Sequence, residues 1–227
     1  MQVVINAGGE GTRLRPLTYL VPKSMVPIHH ERPFLWYLLT MLRVQGFKNF
    51  LVCTGYLGGQ IRTYFGDGGA LEIDIEYSHE VRPMGTGGAL RNALAMLEQQ
   101  FIYINGDTLL PLDYQKFKVE FMNCNRLAML AVNEVKSGNC MGGSKFNLVG
   151  YRKGGYNSTY TDAGVWGLCR TAVEKHIKEG FVSLETDVLP ALIRDSQVKV
   201  FPAAERFYDI GTHSSLEEFK EVTHVNS

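Results

Sequence analysis

The apolar run Val3-Val4-Ile5 reads as a buried strand that empties, almost at the start of the chain, into Ala7-Gly8-Gly9-Glu10-Gly11-Thr12-Arg13-Leu14-Arg15-Pro16-Leu17-Thr18. That junction constrains the fold more than any other feature. It places a glycine-rich loop at the carboxyl end of a strand, which is where open α/β sheets hold their ligands. The glycines at 8, 9 and 11 let backbone amides approach an anion without a Cβ in the way. Arg13 and Arg15, with Lys23 in Val21-Pro22-Lys23-Ser24-Met25-Val26-Pro27, supply charge that neutral amides lack. The glycines alone are also compatible with a solvated turn. The added cations make the segment a phosphate site.

The pattern downstream supports a sheet behind that loop. Phe34, Tyr37, Leu38, Met41 and Leu42 recur at helical spacing behind Pro33, and the pattern stops at Gly46. Phe50–Cys53 reads as a second strand, Gln60–Phe65 as a short helix, and Ile73–Tyr77 as a third strand. Ala89, Leu90, Ala93, Leu94 and Leu97 predict a helix, followed by the strand Phe101–Ile104. This βαβ alternation implies a Rossmann-like α/β fold with a mostly parallel central sheet flanked by helices. Beyond about Asp113 the regular units end. A helix through Met122, a strand Leu127–Val132 and a Gly, Asn, Ser and Tyr-rich passage from Lys136 to Thr159 suggest a smaller β-rich lobe. Val165–Leu168 is expected as a returning strand, Leu184–Arg194 as a helix and Val198–Phe201 as a strand. A last helix is expected from about Ser214 to Val222, capped by Ser214 or Ser215. With no internal repeat or flexible linker, one domain over 1–227 is expected, about 1–112 forming one half and about 113–227 the other.

Composition removes several function classes. Lys plus Arg and Asp plus Glu each number 23, so there is no general electrostatic pull toward nucleic acid or an acidic membrane, and anion binding must be local. Cys53, Cys124, Cys140 and Cys169 are widely spaced, which argues against a zinc site or a disulfide framework and suits a reducing cytoplasm. No apolar run approaches the roughly 20 residues that a membrane span needs, and the amino terminus begins with a strand and not a leader. A cytoplasmic protein without nucleic-acid or membrane partners is expected. A homo-oligomer is compatible with the sequence, which does not fix the oligomeric state.

The loop lacks the Gly-x-Gly-x-x-Gly dinucleotide pattern and the Gly-Lys-Ser/Thr ending of a P-loop, which disfavours both common nucleotide folds and a nicotinamide-dependent oxidoreductase. Its full run, Gly8 through Thr18 with Pro22-Lys23 and Pro27, closely resembles the signature of the sugar-1-phosphate nucleotidyltransferases, the pyrophosphorylases that make nucleotide sugars. The resemblance continues through Gly85-Thr86-Gly87-Gly88-Ala89, Asn105-Gly106-Asp107, Asp162-Ala163-Gly164-Val165 and Asp209-Ile210-Gly211-Thr212. It implies attack by a sugar 1-phosphate on the α-phosphorus of a nucleoside triphosphate, with release of pyrophosphate. The nucleophile is already an anionic oxygen, so no general base and no Ser-His-Asp arrangement is needed.

Site roles follow from the same resemblance. Arg13 would stabilise the leaving pyrophosphate with help from Arg15, and Lys23 would contact phosphates at the reaction centre. Ala7, Gly8, Gly9, Gly11 and Thr12 would line the triphosphate, and Gly85, Thr86, Gly87 and Gly88 would approach the base. Asp107 and Asp209 would hold Mg²⁺, although each also reads as a cap or turn residue. Asn105, Gly106, Gly164 and Glu185 would face the sugar phosphate, Glu185 being equally suited to a helix start. The family's usual Glu-Lys-Pro segment is missing, so Lys153 is the nearest substitute for its lysine and Lys145 a weaker one.

The segment Pro83-x-Gly85-Thr86-Gly87-Gly88-Ala89 is similar to the guanylyltransferases for mannose or heptose 1-phosphate, which points to GTP and to nucleotide-sugar supply for surface polysaccharide or cell-wall synthesis. The Gln-Pro-rich segment of thymidylyltransferases is absent. Thymidylyl, uridylyl or cytidylyl transfer remains an alternative, as does a non-catalytic nucleotide-sugar-binding subunit, though such relatives usually lose the Arg, Lys or Asp residues kept here. The chain ends soon after Asp209, so no appended hexapeptide-repeat acyltransferase domain is expected.

Overall fold

The computed structural model describes residues 1–134, 138–143, 147–152 and 160–224. Strands β1 (Gln2–Ala7), β2 (Asn49–Thr54), β3 (Asp74–His79) and β4 (Gln100–Asn105) alternate with helices α1 (Phe34–Val44), α2 (Gly58–Phe65) and α3 (Gly85–Asn92). They are followed by β5 (Thr108–Leu109), α4 (Tyr114–Asn123), β6 (Ala128–Glu134), β7 (Cys140–Gly142), β8 (Leu148–Tyr151) and β9 (Tyr160–Cys169). The chain closes with α5 (Arg170–His176), α6 (Leu189–Arg194), β10 (Val198–Ala203), β11 (Tyr208–Asp209) and α7 (His213–His224).

The main sheet runs β10-β6-β9-β4-β1-β2-β3, with β7 and β8 paired beside β9. β1 lies parallel to β2 and β4, β2 parallel to β3, and β6 parallel to β10. β9 is antiparallel to both β4 and β6 and joins the two parallel blocks. Strands from both halves of the chain therefore share one sheet. β1, β2 and β4 carry apolar runs on successive residues, Val3–Ile5, Phe50–Cys53 and Phe101–Ile104, because helices cover both faces. One face packs α1 and α4 through Leu38, Leu42, Phe117 and Phe121, and the other packs α3, α5 and α6 through Leu90, Val173 and Leu189.

Several expected elements differ in extent. The helix expected through Leu97 stops at Asn92 and continues as a 3-10 turn, Leu94–Met96. The strand expected at Val165–Leu168 spans ten residues, and the helix expected from Leu184 opens with a turn of π-helix, Leu184–Val188, before α6. Helix α5 was not expected. The cap of α7 is Thr212, whose Oγ1 accepts the Ser215 N–H at 3.2 Å, so Ser214 and Ser215 stand inside the helix.

A third apolar cluster matters most for the site. Leu14 from the glycine loop packs with Val26, Ile28 and Phe34 and with Ile210, Leu216 and Phe219 from the end of the chain. Phe34 and Phe219 are fully buried with ring centroids 5.0 Å apart. Each such ring contributes about 1.5–3 kcal/mol by leaving water. This cluster fastens the loop after β1 to the segment between β11 and α7.

Candidate active site

Because β1, β2, β3 and β4 are parallel, their carboxyl ends gather Ala7, Thr54, His79 and Asn105 along one edge. Gly106 follows β4, and its N–H donates to Asn6 O at 2.8 Å. A Cβ on Gly106 would stand 2.7 Å from that oxygen and 3.1 Å from Ala7 Cα, so only glycine permits this approach. Asp107 is thereby set directly across from the glycine loop.

The loop itself is short and turned. Gly11 has a φ of 62°, and Thr18 Oγ1 donates to its carbonyl at 2.8 Å. The following 3-10 turn, Thr12–Leu14, buries Leu14 and leaves Thr12 and Arg13 exposed above it. Lys23 stands in a later 3-10 turn, Lys23–Met25, and its ammonium is ion-paired with Asp107. β5 and β11 pair antiparallel, Thr108 opposite Asp209, and Ile210 N–H donates to Asp107 O at 3.0 Å. The two sequence-distant aspartates are thus side by side.

Gly211 shows how tightly the charges converge. A Cβ there would lie 2.6 Å from Asp209 Oδ1, 3.0 Å from Arg13 Nη2 and 3.4 Å from Lys23 Nζ. Asp209 is held by the Gly211 N–H at 2.7 Å and by Ser215 Oγ at 3.4 Å. Arg13, Lys23, Asp107 and Asp209 therefore form one cluster of alternating charge. Arg15 stands apart from it, exposed, paired with Glu10 at 3.2 Å and placed over the Tyr19 ring.

Lys23 and Asp107 of this cluster border the central one of three adjoining pockets. Ala7, Gly9, Lys23, Asn105, Gly106 and Asp107 border a central pocket of 240 Å³. One neighbour, of 360 Å³, is bordered by Gly8, Gly9, Tyr56, Glu80, Gly85 and Thr86. The other, of 490 Å³, is bordered by Asn105, Thr108, Asp162, Gly164 and Glu185. Thr86 and Asn105 belong to the wall between them.

Gly87 and Gly88 have a different task from the one expected. Both amides donate to Val182 O, at 2.8 and 3.1 Å, and a Cβ on Gly88 would stand 2.4 Å from Gly180 O. They are buried and allow α3 to pack on the 180–182 segment, so only Gly85 and Thr86 of that motif reach the pockets. Thr86 Oγ1 donates to Glu185 Oε2 at 2.8 Å, and Ser183 Oγ donates to the same oxygen at 2.7 Å. This ties the floor of the 490 Å³ pocket to α3.

Asp162 was missed as a site residue although its motif was noted. Its carboxylate accepts from the Gly164 N–H at 2.9 Å and from Trp166 Nε1 at 3.1 Å. Burial pushes its pKa up to about 7 against the pull of the Gly164 N–H, with the Glu185 charge adding to the rise and the Trp166 bond opposing it. Gly164 (φ 72°) could carry no Cβ without crowding Thr108 Oγ1 at 3.0 Å and Asn105 Nδ2 at 3.3 Å. Ser24, beside Lys23, was also missed; it borders the central pocket, and its buried hydroxyl has no partner among the described residues. Lys145 and Lys153 lie outside the described residues.

The nucleotidyl transferase family model matches residues 2–142. The D-glycero-alpha-D-manno-heptose 1-phosphate guanylyltransferase of Aneurinibacillus thermoaerophilus is 32% identical over 231 residues, covering 99% of each chain. The mannose-1-phosphate guanylyltransferase of Mycobacterium tuberculosis is 32% identical over 222 residues, but the match covers 93% of this chain and only 61% of that enzyme. Uridylyl- and cytidylyltransferases for other sugar 1-phosphates also match. The crystal structure of HddC from Yersinia pseudotuberculosis complexed with GMP-PN superposes with a TM-score of 0.81 at 28% identity, covering 98% of this chain and 99% of that one. With the motif cluster assembled at the strand ends and the family model matched over more than half its length, the chain belongs to the nucleotidyl transferase family.

Proposed function

We propose that the protein transfers a guanylyl group from GTP to a mannose- or heptose-like sugar 1-phosphate, giving a GDP-sugar and pyrophosphate. The convergence of Arg13, Lys23, Asp107 and Asp209 beside the central pocket carries this reading. The full-length match to a heptose 1-phosphate guanylyltransferase supports the choice of substrates.

The reaction forms one P–O bond and breaks another. A phosphate oxygen of the sugar 1-phosphate attacks the α-phosphorus, the α–β bridging bond breaks, and its electron pair leaves on pyrophosphate. The obstacle is repulsion between two anions that must be held in line. Lys23 neutralises charge where the phosphates meet, and the Arg13 guanidinium presents donors to the departing pyrophosphate. Glu185, already accepting from Thr86 and Ser183, has lone pairs left for sugar hydroxyls.

Asp107 and Asp209 have the donor chemistry for Mg²⁺. Both are hard oxygen ligands, and among the described residues no third His, Cys, Asp or Glu joins them, which leaves positions for water and phosphate oxygens. Bound there, Mg²⁺ would neutralise phosphate charge and polarise the α-phosphoryl group. Lys23 would have to release Asp107 to its new partners. A matrix of nucleoside triphosphates against sugar 1-phosphates, read by pyrophosphate release, tests the proposal; turnover confined to UTP, dTTP or CTP would overturn the guanylyl assignment.

A further inference from the structure

Tyr103 carries a hydroxyl into an apolar cluster against the sheet, where it lies with Val4, Phe101 and Trp166 and is 1% exposed. A polar group buried so deeply must find its partners inside the protein. Two asparagines supply them. Asn6 and Asn105 stand opposite each other near the carboxyl ends of β1 and β4, and Tyr103 precedes Asn105 by two residues, so all three share one face of the sheet. Asn6 Nδ2 donates to the Tyr103 hydroxyl at 3.1 Å, and that hydroxyl donates to Asn105 Oδ1 at 2.9 Å. Burial pushes the Tyr103 pKa well above the ordinary tyrosine value, with the Glu185 charge adding to the rise and the Asn6 bond opposing it, so the hydroxyl keeps its proton. Tyr103 itself borders none of the three pockets. Asn6 borders the 360 Å³ and central pockets, and Asn105 borders the central and 490 Å³ pockets.

A phenol has one proton to give. It can therefore donate to one of the two amides and must accept from the other, which turns the two asparagines in opposite senses. With Oδ1 held by Tyr103, the Asn105 amide points Nδ2 toward Gly164, 3.3 Å from where a Cβ on that glycine would stand, at the border of the 490 Å³ pocket. We propose that Tyr103 is a positioning residue for the sugar 1-phosphate, its hydroxyl holding the Asn105 amide so that Nδ2 donates to the incoming phosphate. The assignment rests on the sugar 1-phosphate reading above and adds the residue that orients one of its contacts. An amide turned the other way would set a carbonyl oxygen against an anionic nucleophile. The phenol removes that orientation before the substrate arrives, and a donor fixed in advance loses less freedom on binding.

The test is a double-mutant cycle on KM for the sugar 1-phosphate of highest turnover, measured at a saturating concentration of the best nucleotide. Tyr103→Phe is expected to raise that KM by about three- to tenfold, the size of one lost hydrogen bond, and to leave KM for the nucleotide within about twofold. Asn105→Ala is expected to raise it at least as far. Because Tyr103 acts through Asn105, adding Tyr103→Phe to Asn105→Ala is expected to change KM no further. A double variant in which the two effects multiply would show a phenol that only packs the core, and would overturn the proposal. So would a wild-type KM for the sugar 1-phosphate in either single variant. Thermal melting checks folding, and Asn6→Leu combined with Tyr103→Phe removes the donor left without a partner, which keeps the cycle usable if Tyr103→Phe alone does not fold. A wild-type protein that turns over no sugar 1-phosphate removes the transfer reading and the role of Tyr103 together, whereas a working enzyme whose variants multiply removes Tyr103 alone.

Discussion

Arg13 and Lys23 both approach Gly211 from different turns after β1, and among the described residues neither is ion-paired with Asp209. Arg13 is exposed and makes no ion pair among the described residues, so removing it costs the fold little, while on the proposed mechanism it would take donors from the leaving pyrophosphate. Arg13→Ala should lower kcat by more than tenfold with an unchanged melting temperature; near-normal turnover would remove it from the chemistry. Asp162 behaves differently because its charge is costly where it sits. Its folded pKa of about 7 lies above the ordinary value of 3.8, so the folded state holds a proton that the unfolded state has released between those values. Its contribution to stability is complete below about pH 4 and is lost as pH rises through 7. Asp162→Asn should therefore match the wild-type Tm near pH 4 and exceed it at pH 8, and a pH-independent difference would contradict this. The cations of the loop were legible because their spacing is local. Asp162 was not, since its place beside Asn105, Thr108 and Glu185 comes from elements distant in sequence.

Element packing explains what the second glycine motif does. In isolation, Gly85 to Gly88 looks like a flexible approach to a ligand, but the partners of Gly87 and Gly88 lie at 180–182, nearly a hundred residues away. Sequence spacing carries no trace of that contact. Ala at position 88 would favour the helix by up to about 1 kcal/mol, yet its Cβ would meet backbone at 2.4 Å. Overpacking of this kind costs about 1–3 kcal/mol and should win. Gly88→Ala should lower Tm by several degrees and raise KM for the nucleotide, because Gly85 and Thr86 ride on the same helix start. An unchanged or raised Tm would show that the 180–182 segment yields without cost. The start of α7 was misread for a related reason: Thr, Ser and Ser in succession can all cap a helix, and the Asp209–Gly211 turn decides that Thr212 does.

Across the whole molecule, the alternation of strands and helices up to β4 was legible because both periods are strong there. The later half was less so. β9 carries Thr161, Asp162 and Gly164 before its apolar run, which hid its first residues, yet that polar start is what brings Asp162 and Gly164 beside Asn105. Inserted antiparallel between β4 and β6, it joins the two parallel blocks in one sheet. Among the described residues no helix is long and apolar enough to cross a membrane. The architecture thus sets Lys23 and Asp107 at the central of three adjoining pockets, with Arg13 and Asp209 close to them. Pyrophosphate release from GTP with Mg²⁺, with and without mannose or heptose 1-phosphate, tests that arrangement most directly when wild type and Asp107→Asn are compared. Release that requires the sugar 1-phosphate and falls more than tenfold in Asp107→Asn is predicted; release independent of the sugar, or equal in the two proteins, would contradict it.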